Sequence, residues 1–441
     1  MANLRHVGGI GAKIVLLALM ICGSNAYADQ FHYNNLIIGD RASGMGGAYT
    51  AISDDATGLY YNPAGIVYSS GRNLSASVNA YYNLTKKYDG VIGGQGWVRN
   101  SSALLPNYFG IVQPLGKVKF GFSYAVPDSI NEDQDQTFYN LSLSSGLAKL
   151  NPYVYIPSYY INFNNEDNTY NFGPSIAMEI SKKLSVGVTL YAHQRKAQRI
   201  LNQFITFRGT SGSSNTDYKG FEWDNTYLQI SETGIRPILG IMYAPVDKLS
   251  IGFAVSKTYI LSSTRTIQNT MGTDNLYVDA ITNKIPPEPI IDTTTVKRIY
   301  PTQMSFGAAY FVSDNLLVTG DLSYFTETES NDPSFGSRSA VLNIALGTEY
   351  FLTKNWAVRG GYFTNYANTP EITPGIRSQT EEHIDMLGGT MSLSHYTRNT
   401  SITLGGSVTQ GKGKAQITGS GATQDASTFG WTLSLSSTYS Y

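Results

Sequence analysis

Polar and apolar positions alternate with a period of two along much of this chain. Leu74, Ala76, Val78, Ala80 and Tyr82 alternate with Ser75, Ser77, Asn79 and Tyr81. Leu316, Val318, Gly320, Leu322 and Tyr324 alternate with Thr319, Asp321 and Ser323. Near the end, Trp431, Leu433, Leu435, Ser437, Tyr439 and Tyr441 alternate with Thr432, Ser434, Ser436, Thr438 and Ser440. Successive side chains of a strand point to opposite faces, so each stretch has one apolar face with aromatic ends and one polar face. A soluble β-sandwich alternates in the same way, and periodicity alone leaves both architectures open.

The connections separate them. Short ones fall at Pro114–Lys117, Ser181–Lys183, Pro245–Lys248, Ser313–Asn315, Thr353–Asn355 and Thr397–Asn399. Long polar ones fall at Thr85–Leu104, Pro127–Asn151, Ala197–Phe221, Ser262–Arg298, Glu327–Ser337, Ala367–Glu381 and Gln410–Thr428. Short and long alternate throughout, as in a membrane barrel with tight turns on one rim and extended loops on the other. Six short and seven long connections predict an all-β transmembrane antiparallel barrel of about fourteen strands over residues 69–441. Tyr153–Ile180, interrupted by Asn164–Asn168, reads as one element with a polar break or as a loop strand plus a barrel strand. Leu141–Leu150 carries an apolar stripe at 141, 143, 147 and 150, which predicts a short loop helix.

Composition sharpens this picture. Charged residues make up 14% of the chain and the formal net charge is −1, which gives no reason to expect nucleic acid as a partner. The 32 tyrosines suit a protein with two membrane–water interfaces, where a ring with a polar tip is favoured. Residues 1–28 read as a secretory signal peptide: Arg5, His6 and Lys13, then apolar Ile14–Cys22, then an A-x-A site at Ala26-Tyr27-Ala28. Ile21 fits poorly before a lipidated Cys22, so cleavage near Ala28 is the expectation. The mature chain would begin at Asp29 and contain no cysteine.

Gly39–Ile66 stands apart from the alternation. Glycines at 39, 44, 46 and 47 allow repeated turning, and only small or apolar residues lie between the turns. Asp54 and Asp55 favour a turn or a helix N-cap, and Asn62-Pro63-Ala64-Gly65 closes the stretch. The glycines could suggest a phosphate loop, but no Lys-Ser/Thr ending follows and no buried strand precedes them. The Asp pair could suggest a metal or catalytic site, but no His or Cys is near. The stretch reads as a compact knot shaped to fill a confined space.

Arg41-Ala42-Ser43-Gly44, Gly46-Gly47-Ala48, Ser53-Asp54-Asp55-Ala56 and Asn62-Pro63-Ala64, in this order, resemble the N-terminal hatch of FadL/TodX-type outer-membrane transporters. Leu316–Tyr324, Ala357–Tyr366 before Pro370, and Glu382–Ser394 resemble later blocks of the same family. The resemblance implies a hatch over residues 29–68 plugging the barrel, a monomer in a Gram-negative-type outer membrane, and a hydrophobic ligand such as a long-chain fatty acid. It implies capture among outer loops, where Leu141 and Leu147 would form an apolar rim, then passage to an apolar lumenal pocket. It implies an N-terminal plug, for which Phe31 is the candidate. Release would follow hatch movement, sideways through a gap at a kinked third strand, here Val118–Val126 with Gly121 as the candidate kink.

Other chemistry is sparse. The five histidines show no metal-ligand spacing, and no nucleophile motif stands in its required context, so neither a cofactor nor an enzymatic activity is expected. On Val341–Phe351 the even positions are apolar, which turns Asn343 and Glu349 inward; after the Thr353–Asn355 turn, Arg359 faces inward as well. A turn pairing Leu352 with Trp356 sets Glu349 opposite Arg359. Lys183, Arg195, Lys196 and Arg199 are further lumenal or rim charges. An inward arginine could grip a ligand carboxylate or serve only in a wall-stiffening ion pair. A structural or adhesive barrel, a channel for aromatic hydrocarbons and a diffusion porin are the competing readings.

Overall fold

The computed structural model describes residues 31–142, 154–210, 217–273, 289–296, 298–330, 336–376, 382–417 and 422–440. The expected signal peptide and its cleavage site, Leu147, the greater part of the Leu141–Leu150 stripe and Tyr441 lie outside these residues. The strands are β1 (Asn73–Ile92), β2 (Gln95–Leu115), β3 (Val118–Ser142), β4 (Val154–Ser181), β5 (Leu184–Thr210), β6 (Asp217–Val246), β7 (Leu249–Lys257) and β8 (Tyr259–Thr273). They continue with β9 (Ile290–Thr295), β10 (Thr302–Ser313), β11 (Leu316–Phe325), β12 (Val341–Thr353), β13 (Trp356–Asn365), β14 (Glu382–Tyr396), β15 (Thr400–Ala415) and β16 (Gln424–Ser440).

These segments form a closed antiparallel barrel of fourteen staves. Both β7 and β8 pair with β6, one above the other, and are parted only by Thr258. In turn β9 pairs with β8 and β10 pairs with β7. The couple β7 and β8 and the couple β9 and β10 therefore each supply one interrupted stave. The first and last strands close the ring, Asn73 opposite Ser440.

Alternation places the apolar set outside. On β12, Leu342, Ile344, Leu346 and Tyr350 are exposed while Val341, Asn343 and Glu349 are buried. An unpartnered apolar belt of this kind, ringed by aromatic side chains, is the outer surface of a barrel in lipid. The Thr353–Asn355 turn differs in detail from the expectation. Thr353, not Leu352, pairs with Trp356, and a bulge before it restores the register so that Glu349 still faces Arg359.

Several regions expected to be long loops are strand instead. β1 runs to Ile92, turns at Gly93 and Gly94 with positive φ, and returns as β2. Likewise β4 is one continuous strand of 28 residues, and β5 and β6 have 27 and 30, against 10 in β11 and β13. The barrel is therefore tall on one side and low on the other. Outward positions just above the apolar belt, such as Asn164 and Glu166, are polar, which made the region read as loop. Its inward positions are apolar: Tyr88, Trp97, Phe138, Tyr159, Phe163 and Ile384 pack together into a second core at the loop end. Leu141 belongs to this core, buried at the end of β3.

An arginine near the middle of the outer belt tests the lipid-facing assignment. Leu346→Arg on β12 should lower unfolding free energy in lipid vesicles by about 2–4 kcal/mol, measured by reversible denaturant titration. A change near zero would mean that this face does not meet lipid.

Candidate functional site

Residues 31–68 carry short helices α1 (Asp40–Gly44) and α2 (Gly58–Tyr61) and a 3-10 helix at Pro63–Tyr68. A chain this short and irregular leaves many backbone groups unpaired, and in a confined interior each needs a partner. The inward faces of the strands supply them. Thr390 Oγ1 accepts from Gly46 N and donates to Gly44 O, both at 2.9 Å. Asp321 accepts from Tyr49 N and Thr50 N, at 2.9 and 2.8 Å. Ser250 donates to Ala51 O, Thr189 to Leu59 O and Ser185 to Ala64 O. Asn62 donates to Thr50 O and Ile241 O, while its own Oδ1 caps Ala64 N.

Close approach is the other half of the fit. Gly46 has φ +67, and a Cβ there would lie 2.9 Å from Tyr362 O; a Cβ on the facing Gly361 would lie 2.2 Å from Gly46 N. Two glycines at one contact let main chain rest on main chain.

One charge cluster joins segment and wall. Glu349 accepts from Arg41 Nε at 2.9 Å and from Arg359 Nε at 2.7 Å, and Arg41 reaches Asp54 at 2.6 Å. Arg359 continues to Ser394 and Tyr396. Two guanidiniums and two carboxylates balance, as buried charges must. Asp55, beside this cluster, has its carboxyl raised to about 6 by burial, with the Asp54 charge adding to the effect.

Between this segment and the wall lies a cavity of about 190 Å³, bordered by Asn34–Ile37 and Tyr60. An apolar pocket was the expectation; this cavity is mixed. Ile238, Phe325 and Phe363 line it, but so do Arg195, Arg236 and Arg298. Arg195 is neutralised by Asp167 and Glu232. Arg236 differs: its partners are the Tyr60 ring, centred 5.2 Å away, Gln303 Oε1 at 3.0 Å and the Tyr60 and Ser256 hydroxyls. Among the described residues no carboxylate pairs with it. Arg298 lies over the Tyr300 ring at 4.6 Å. Arg338 covers Phe31, and burial together with the Arg298 charge lowers its pKa. The cavity thus holds Arg236 among neutral partners, with the carboxylates Asp128 and Asp321 elsewhere in its lining.

It also reaches Pro127 and Asp128 on β3. The ladder between β2 and β3 stops at Tyr108–Ala125 and resumes only at Ser101–Glu132. Pro106 and Pro127 sit in the unpaired stretch, where neither can donate to a ladder. Leu36, Leu105 and Ile130 pack there. Gly121 is not the break: it pairs regularly with Val112 and Ser175, and its missing Cβ makes room for Leu59.

No family model and no curated protein matches the chain. Solved structures do. A Pseudomonas aeruginosa FadL homologue superposes with TM-score 0.59 at 14% identity, covering 92% of this chain and 99% of its own. The Pseudomonas putida toluene transporter TodX gives 0.60 at 13%, covering 92% and 98%. The Ralstonia pickettii toluene transporter TbuX gives 0.56 at 15%, covering 92% and 99%. The chain has the FadL/TodX fold.

Within that fold the residues singled out from sequence fall into two groups. Arg41, Asp54, Glu349 and Arg359 meet in one cluster, and Gly44, Gly46, Asn62, Pro63 and Ala64 sit at wall contacts. Gly47 has positive φ and borders the cavity. Phe31 is buried, with Lys86 and Arg338 over its ring, and its carbonyl accepts from Asn368 N. Lys196 is exposed and Lys183 bonds Pro245 O at the short-turn rim, so neither is lumenal. Sequence reasoning missed Arg236, Tyr60 and Gln303. Alternation from Leu239, Ile241 and Tyr243 turns Arg236 inward, so a signal for it existed.

Removing the shared carboxylate exposes its weight. Glu349→Gln leaves Arg41 and Arg359 facing one another and should cost about 3–5 kcal/mol of docking, read as faster amide exchange over residues 41–54 with strand protection unchanged. Unchanged exchange in that segment would show that Glu349 does not hold it.

Proposed function

We propose that this protein takes up hydrophobic small molecules with an anionic head, such as long-chain fatty acids, across an outer membrane. The observation that carries the reading is Arg236: a cation in a cavity shared with Phe325 and Phe363, held by neutral groups only. Arginine kept without a carboxylate partner is matched to a bidentate guest. The names of structures with the same fold, a FadL homologue and toluene transporters, support a hydrophobic cargo.

The path follows from the same geometry. The N-terminal segment acts as a hatch that fills the ring, which rules against a wet diffusion porin. Ligand resides in the cavity with its head at Arg236 and its tail toward Leu36, Leu105 and Ile130. It leaves sideways through the unpaired stretch of β2 and β3 once the hatch shifts. An apolar tail is better served by a dry route into the membrane than by a water-filled pore. A channel for aromatic hydrocarbons is the second reading, favoured by the toluene transporters and disfavoured by Arg236.

Labelled oleate and toluene uptake in a host lacking its own channel discriminates these. With wild-type protein, oleate should enter; Arg236→Gln should reduce oleate uptake by about tenfold or more, since a charge-assisted bond contributes about 1.5–3 kcal/mol. Toluene uptake and the heat-modifiable gel mobility of the folded barrel should not change. Toluene uptake without oleate uptake by wild-type would reverse the assignment.

A further inference from the structure

The outer face of the tall hairpins carries a second aromatic surface that lipid does not explain. On β4 the lipid-facing belt comprises Ile180, Met178, Ile176 and Phe172, and ends at Tyr170. The next outward positions are Asn168, Glu166, Asn164 and Asn162, none of them apolar. Then aromatic residues return at Tyr160, which at ~3.3 Å rise per residue and ~40° tilt is about 25 Å above Tyr170.

Cross-strand register makes this return a surface. Tyr160 pairs with Phe204 and Phe204 with Trp223, one row across three strands. Trp223 lies over Gly272 of β8, where a Cβ would come within 2.8 Å of the indole. Phe221 stacks on Phe204, rings 5.5 Å apart and 23° from parallel. Tyr160 and Phe204 are 36% and 40% exposed. The row beneath is a polar ladder. Asn202 donates to Asn162 at 3.0 Å, and Asn162 and the Tyr160 hydroxyl both donate to Asp135 Oδ1, at 2.8 and 2.6 Å. Asp135 pairs with Asn162, and Asn202 with Asn225.

We propose that this platform binds a polysaccharide, the sugar chain of lipopolysaccharide in the same membrane leaflet. A pyranose ring presents a face of C–H groups that packs on an aromatic plane and a rim of hydroxyls that bonds carboxylates and amides. Aromatic rings in one row with Asp135, Asn162 and Asn202 in the next supply both halves at the spacing of adjacent strand positions. Bilayer lipid does not reach this height, and an exposed aromatic patch above the headgroups otherwise invites aggregation. In an outer membrane the layer at this height is sugar. The inference rests on the proposed location, but not on the transport reading.

The test uses purified full-length protein in detergent and, as probe, the delipidated polysaccharide released from lipopolysaccharide of the same bacterium. Binding is followed by Trp fluorescence and calorimetry. Wild-type protein should bind. Phe204→Ala and Asp135→Asn should each weaken binding about tenfold, about 1.4 kcal/mol, and Trp223→Ala should abolish the fluorescence response. Gel mobility reports that each variant stays folded; Gln229→Ala, outward on β6 but off the platform, should bind as wild type. No binding by wild-type protein, equal binding by Phe204→Ala, or response only to intact lipid-bearing material would overturn the proposal. Since oleate uptake is not read, loss of the sugar site and loss of transport stay distinguishable.

Discussion

Glu349 is the residue on which the arrangement inside the barrel depends. It takes one guanidinium from the N-terminal segment and one from the neighbouring strand, and Asp54 supplies the second negative charge. Such a buried cluster is not a large source of net stability, because desolvation offsets most of the attraction. What it gives is a single geometry: any other seating leaves charge unpaired. The remaining contacts follow the same logic with hydroxyls and one carboxylate, Asp321. Thr390, Asp321, Ser250, Thr189 and Ser185 each meet a backbone group that would otherwise go without a partner. The segment also buries Ile38, Met45, Tyr49, Leu59 and Ile66, in contact with wall residues such as Tyr108, Val112, Ala309 and Leu317.

The outer half is built differently. There the interior is closed by aromatic and aliphatic side chains, with the ion pairs Lys86–Glu382 and Arg99–Glu132 set among them. The cavity lies between these two regimes and has the character of both, with apolar walls, cationic groups, and a seam in β2 and β3 beside it. The seam occurs where Pro106 and Pro127 remove ladder donors, and it is there that the proposed lateral route would open.

The architecture was legible because alternation and connection length are both one-dimensional. A period of two gives faces, and short turns fix register tightly enough to set Glu349 against Arg359 despite a bulge beside the turn. The tall hairpins were not legible. Polar residues at outward positions such as Asn164 and Glu166 look the same in a loop and in a strand standing in water, and only the buried partners Phe163 and Ile161 distinguish them. Gly121, the candidate kink, was ambiguous for a related reason. A glycine signals either a bend or a close neighbour, and here the neighbour is Leu59. Arg236 shows a third limit: its inward direction follows from parity, whereas its lack of a carboxylate partner depends on strands far away in sequence.

The central claim, that the N-terminal segment is a docked element that must leave its seat for cargo to pass, has a direct test. A Cβ at Gly121 would lie 2.4 Å from Leu59 Cδ2, so Leu59→Cys with Gly121→Cys, in a Cys22→Ser background, brings two thiols within bridging reach. Oleate uptake would be measured with the pair oxidised and again after reduction, with gel mobility reporting an intact barrel. Uptake lost on oxidation and recovered on reduction is the expected result. Equal uptake in both states would contradict the account, since cargo would then pass with the segment fixed to the wall.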